Sequence, residues 1–196
     1  MTLRYNSGSI PSEVEGLTKK QIRSKILLKI KTQKEEDRDR KSKIIKEKLF
    51  RTRVFKKAKR MMFYISFGGE VDTKEMIKAA IKLGKIVAVP VCRRNRIVIR
   101  PCILQDKARL KKGPYGISEP AMKTFINSRD IDLVVVPGVA FDKQGHRLGR
   151  GKGYYDCFLK KLPKKTPSIG LAFDFQILPS MPTTPQDVNV DKIIFA

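Results

Sequence analysis

From Thr18 the chain sets isoleucines at every fourth position, Ile22, Ile26 and Ile30, among basic and polar neighbours. That period is helical, and Thr18 at its head can accept a hydrogen bond from the first free backbone amides. Thr32 and Glu35 stand in the capping-box relation and open a second predicted helix, with Ile44, Ile45 and Leu49 as its apolar face. The mixed-charge run KEEDRDRKSK between those marks reads as a solvated helix surface. The basic cluster KKAKR at 56–60 closes the region.

Strands and helices then alternate. Met61–Ser66 is a short apolar run ending before Gly68 and Gly69, and it predicts a buried strand. Asp72 and Glu75 offer another capping box, followed by Met76, Ile77, Ala80 and Ile81 on one face, with Gly84 as the stop. Ile86–Val91 predicts a second strand, and the turn-like Arg93–Arg96 lets Ile97–Arg100 pair back as an antiparallel ribbon. Residues 104–118 read as irregular, with GPYG demanding turns. A short helix is expected at 121–126, before the most apolar strand, Leu133–Pro137. A glycine-rich loop follows, then a helix through Tyr155–Leu162 and strands near 169–172 and 192–195. Strands apolar on both faces and separated by helices predict an α/β fold around a mostly parallel sheet. Ligands of such sheets bind at the carboxyl ends of the strands, where the loop at 138–153 lies.

Composition narrows the picture. The length of 196 residues predicts a single domain, taken as 18–196 behind a flexible tail at 1–17. A formal charge of +24 draws polyanions: nucleic acid, anionic membranes, or phosphate-rich and polycarboxylate ligands. Cys92, Cys102 and Cys157 have no metal-type spacing and read as reduced thiols of a cytoplasmic protein. No apolar run approaches the ~18 residues of a membrane span.

Candidate chemistry concentrates in Gly145–Asp156, GHRLGRGKGYYD. It is not a Walker A loop, because His146 stands where the first glycine belongs and Gly153 where the hydroxyl belongs. It is not a dinucleotide fingerprint either, since it neither follows a strand directly nor has the right spacing. Alternating glycines nevertheless let backbone amides converge, a helix start adds its positive end, and Arg147, Arg150 and Lys152 add fixed charge. These features favour a polyphosphate. A nucleic-acid contact and a plain solvated turn remain alternatives at this point. Asp142 reads as an Asx-turn residue, His146 as incidental and Cys157 as helix packing.

Extended leftward, VVVPGVAFDKQGHRLGRGKGYYDCFLKKL strongly resembles one family, 5-formyltetrahydrofolate cyclo-ligase. Shorter stretches are similar to it along nearly the whole chain: KKQIR at 19–23, RKSKI around Ser42, YISFGGEVDT at 64–73, YGISEP at 115–120 and NVDKIIF at the end. The resemblance implies a three-layer α/β/α sandwich with N-terminal helices. It also implies ATP- and Mg2+-dependent closure of 5-formyltetrahydrofolate to 5,10-methenyltetrahydrofolate, releasing ADP and phosphate. The substrate carries its own nucleophile, so positioning and charge stabilisation are what remain for the protein.

Carried onto this sequence, the resemblance puts Lys19 and Arg23 on ATP phosphates. It makes Arg147, Leu148, Gly149, Arg150, Gly151, Lys152, Gly153, Tyr154 and Tyr155 the nucleotide loop. Arg150 and Lys152 would stabilise the transferring phosphoryl. Asp156 and Asp191 would hold magnesium, provided they converge. Glu70 would bind the pterin, with Ile65 and Tyr154 lining the folate site. The Arg93–Arg100 ribbon is a candidate grip for a polyglutamate tail. The expected partners are folate and ATP, with no specific nucleic acid and no membrane, in a monomer.

Overall fold

A computed structural model describes residues 16–93, 96–105, 109–113, 116 and 118–196, and all their side chains but that of Arg93. The expected tail lies, as far as residue 15, outside the described residues, and Leu17 packs against the first helix's apolar stripe. That helix, α1 (Lys19–Thr32), opens with a closed box: the Gln21 amide donates to the Thr18 hydroxyl and the Thr18 amide to the Gln21 side chain. α2 (Glu35–Arg51) starts differently from expectation. Thr32 ends α1 with its hydroxyl donating to the Leu28 carbonyl, and Lys34 precedes α2 with no side-chain cap. The acids Glu35, Glu36 and Asp37 instead face the helix's positive end. Ile45 and Leu49 are buried as predicted, while Ile44 is only half-buried and Ser42 joins the inner face.

A short α3 (Arg53–Lys57) leads into β1 (Arg60–Met62), then come α4 (Lys74–Lys82), β2 (Ile86–Arg93) and β3 (Arg96–Ile103). The box expected at Asp72 and Glu75 does not form. Thr73 precedes α4, Asp72 accepts from Ser66 and the Lys74 amide, and Glu75 turns outward to Lys78. The region read as irregular contains a small antiparallel ribbon, β4 (Leu110–Lys112) with β5 (Ser118–Pro120). The helix expected at 121–126 is absent. That segment lies along the free edge of β3, with Phe125 bridged to Cys102 and the Ile103 amide donating to the Thr124 carbonyl.

The remaining elements are β6 (Leu133–Val136), β7 (Ala140–Asp142), β8 (Arg147–Leu148), α5 (Tyr154–Leu159), β9 (Ser168–Ala172), β10 (Ile177–Leu178) and β11 (Lys192–Phe195). The central sheet runs β11-β9-β6-β1-β2-β3, parallel except for the β2–β3 ribbon, and a small sheet joins β10, β7 and β8. Alternation along each strand divides the core. Met61, Leu133 and Val135 pack with Ile45, Leu49, Met76 and Ile77 on one face, while Met62, Val134 and Val136 pack with Phe158 and Leu159 on the other. The result is the expected sandwich of helices about a mostly parallel sheet. The α1 stripe covers β7, β8 and β10 through Val139, Ala140, Leu148 and Leu178, at the carboxyl end of β6. Among the described residues no helix is long and apolar enough to cross a membrane.

Candidate functional site

The chain leaves β6 into a loop whose shape is set by backbone chemistry. Asp142, fully buried, accepts the amides of Gln144 and His146, both at 3.0 Å, and its other oxygen meets His146 Nδ1 at 2.8 Å. The Asx turn is therefore present, and His146 is part of it, not incidental. Gly145 sits at φ +85° with room for nothing larger, since a Cβ there would lie 2.5 Å from the Val190 carbonyl. Gly151 and Gly153 also adopt left-handed backbone, at φ +92° and +68°, and this bends the chain into α5.

α1 staples that loop in place. Arg23 Nε donates to the Gly149 carbonyl at 2.9 Å, and Lys19 is ion-paired with Asp187. Arg147 is buried and donates to Asp156 at 2.8 Å, with its Nε left without a partner. Arg150 lies over the Phe67 ring, 4.2 Å from its centroid, and donates from Nε and Nη2 to Glu70 at 3.2 and 3.0 Å. Burial pushes the Glu70 carboxyl up, and the Arg150 guanidinium pulls it partly back.

These groups share one cleft of about 650 Å³. It is lined by Lys19, Arg23, Ile65, Glu70, every residue from Arg147 to Tyr155, and Asp156. The residues singled out from sequence therefore converge, with one exception. Asp191 does not line the cleft. Its carboxylate accepts the amide and hydroxyl of Ser168, each at 2.7 Å, where β9 begins, at the amino edge of the sheet. Asp156 stands at the opposite edge, so the two expected magnesium ligands are not brought together, and among the described residues no trio of His, Cys, Asp or Glu could enclose a metal. Of the expected polyglutamate grip, Arg94 and the side chain of Arg93 lie outside what is described, and neither Arg96 nor Arg100 lines the cleft. Arg100 lies over the Phe125 ring instead, 3.7 Å from its centroid.

The facing wall escapes sequence reasoning. It is formed by Pro90, Cys92 and Ile99 of the β2–β3 ribbon and by Glu119 of β5. Glu119 is buried, accepts the Cys92 amide at 3.0 Å, and meets Lys123 at 3.3 Å. Burial and the Glu119 charge push the Cys92 thiol up to about 11, so it is a neutral wall residue at physiological pH. The Tyr155 hydroxyl is buried without a partner, and burial raises its pKa, with Cys92 and Glu70 adding to the effect. Cys157, expected to pack inside a helix, also lines the cleft, as do Lys160, Gln186 and Asp187. Of the facing wall, only Glu119 had a signal in the sequence, as part of YGISEP.

Chemically, the arrangement is an anion cradle of glycine backbone and cations beside a buried carboxylate, within apolar walls. Residues 15–196 match the model of the 5-formyltetrahydrofolate cyclo-ligase family. A relative from Mus musculus named 5-formyltetrahydrofolate cyclo-ligase is 30% identical over 188 residues, covering 90% of this chain and 93% of its own. The solved structure of Aquifex aeolicus 5,10-methenyltetrahydrofolate synthetase superposes with a TM-score of 0.81 at 35% identity, over 91% of this chain and 90% of that one. The Mycoplasma pneumoniae synthetase gives 0.74 at 25% identity, over 91% and 98%.

Proposed function

The chain belongs to the 5-formyltetrahydrofolate cyclo-ligase family, and from that premise we propose that its cleft binds ATP and 5-formyltetrahydrofolate end to end, for phosphoryl transfer between them. The enzyme is a ligase that forms 5,10-methenyltetrahydrofolate. An N-formyl group is an amide whose oxygen leaves poorly. Transfer of the γ-phosphoryl to that oxygen makes it a phosphate ester and releases ADP. N10 of the same substrate then attacks the formyl carbon and loses its proton. That attack closes the ring, and phosphate then departs with the former formyl oxygen, leaving the methenyl product.

The residues divide that work. Lys19, Arg23 and the backbone of 149–153 bind the polyphosphate, while Arg150 and Lys152 stabilise charge on the phosphoryl as it moves. Glu70 accepts paired N–H donors of the pterin, and Ile65 and Tyr154 line the folate. Magnesium fits this site as part of a nucleotide complex, because it needs only one or two protein carboxylates and takes its other oxygens from phosphate and water. Asp156 supplies such a carboxylate, with both of its recorded contacts on Oδ1, and Asp187 lines the same cleft. Bound there, the ion neutralises phosphate charge.

One observation carries the reading. Arg150 and Glu70, assigned to opposite ligands, touch at 3.0 Å, so the phosphoryl and pterin sites adjoin as direct transfer between ligands requires. Three free thiols support a reducing, cytoplasmic setting. Mixing the protein with MgATP and 5-formyltetrahydrofolate should produce the near-ultraviolet absorbance of the methenyl product, with one ADP per turnover. Folded protein that yields neither product nor ADP would overturn the proposal.

A further inference from the structure

The cleft accounts for few of the chain's cations. Between Lys41 and Arg60 there are ten of them against one anion, Glu47, and none of these residues lines the cleft. Glu47 is already spent on Arg51, at 3.7 Å. Ile45, Leu49 and Phe55 turn the apolar sides of α2 and α3 into the core, which leaves Lys56, Lys57, Lys59 and Arg60 exposed where β1 begins. The same edge adds Lys85, whose ammonium donates to the carbonyls of Lys56 and Ala58, and the exposed Lys164 and Lys165 ahead of β9. Its carboxylates offset only part of this charge, since exposed Asp130 and Asp191 stand against those seven cations. Asp132 accepts the amides of Lys59 and Arg60 at 2.9 and 2.8 Å, and Asp191 is held by Ser168.

We infer that this amino edge, with the outer face of residues 41–57 and not the acidic start of α2, is a docking surface for duplex nucleic acid held through its phosphates without base readout. Density of exposed cations is what such a backbone recognises, and counterion release supplies the binding. An anionic membrane fits less well, because a helix lying on lipid needs a row of exposed apolar residues beside its lysines. The run 41–60 exposes no large hydrophobic side chain, and the edge adds only Leu83 and Ile86. A single strand fits less well too, because it needs exposed aromatics to stack its bases. The aromatics here, Phe50 and Phe55, stack on each other at 4.0 Å, with Phe55 buried.

The test is fluorescence anisotropy with a labelled RNA duplex and a labelled DNA duplex of arbitrary sequence, at roughly 50 and 200 mM KCl. The unaltered enzyme is compared with K56E/K57E/K59E, and with K56Q/K57Q/K59Q as a milder variant should the reversal fail to fold. The enzyme should bind with steep salt dependence, and either variant should lower the slope of log affinity against log salt by about 2.7, three lost contacts at ~0.9 each. Methenyl product formation should be unchanged, because none of the three residues reaches the cleft. Those losses on either duplex uphold the inference, and the tighter arm names RNA or DNA as the source. No binding at low salt, equal binding by the variants, displacement of the duplex by ATP, or equally tight capture by phosphatidylserine vesicles would each overturn it.

Discussion

At the carboxyl edge of the central sheet, cations meet carboxylates side chain to side chain: Lys19 with Asp187, Arg147 with Asp156, Arg150 with Glu70. At the amino edge, Asp132 and Asp191 instead bind the backbone amides that begin β1 and β9, and neighbouring lysines stay exposed. The same residue types thus do different work at the two ends. Pairing within a half-buried cleft fixes charged groups before a ligand arrives, and that preorganisation is what phosphoryl transfer exploits. Carboxylates spent on strand starts stabilise the fold locally and leave a positive field over the surface.

Mutation can sharpen the contrast. The largest effect is expected from Arg147→Met. It strands Asp156 without its partner inside the protein, and urea denaturation should show a loss of about 3–5 kcal/mol. A loss of only a few tenths would mean the pair does not organise the loop. Next is Arg150→Gln, which removes the charge proposed to stabilise the transferring phosphoryl. Its kcat should fall by about 10²–10³-fold, as for other lost stabilisers of developing charge. Its urea midpoint should fall less than for Arg147→Met, because the glutamine can still donate to Glu70, whose side chain is only 10% exposed.

Asp191→Ala probes the amino edge and should cost about 2 kcal/mol for its hydrogen bonds to Ser168. Its kcat and magnesium dependence should match the parent; a raised magnesium requirement would instead return Asp191 to the metal. The smallest effect concerns pH. Burial pushes the Asp187 carboxyl up, but Lys19 and the Thr184 amide hold it below the ordinary 3.8. A lowered folded value means the contact stabilises fully above 3.8 and fades as pH falls through that folded value. Asp187→Asn should therefore be less stable than the parent at neutral pH, with urea midpoints converging as pH falls through the lowered Asp187 value. Parallel curves would break the assignment.

What was legible in the sequence follows the range of the interactions. The glycine loop could be read because its determinants are local: Asp142 serves amides two and four residues on, and the glycines supply backbone no other residue adopts easily. The facing wall could not, because Glu119 reaches Cys92 across 27 residues, and Lys19 reaches Asp187 across 168. Asp191 shows the same boundary. A motif supplies a carboxylate, but only the register of β9 and β11 decides which edge of the sheet it occupies. The lost capping box at Thr32 has a simpler cause. A threonine hydroxyl at a helix end can donate backward to a carbonyl as readily as it accepts forward, and here Leu28 takes it. Likewise 121–126 has the composition of a short helix, yet the open edge of β3 offers its backbone better partners.

The isoleucine stripe of α1 has its mates in Val139, Ala140, Leu148 and Leu178. On the ribosome those mates are made more than a hundred residues after Ile30. At ~5–20 residues per second the newborn helix waits on the order of ten seconds with its greasy side bare. The cleft stays incomplete until α1, which carries Lys19 and Arg23 into it, docks on β7, β8 and β10.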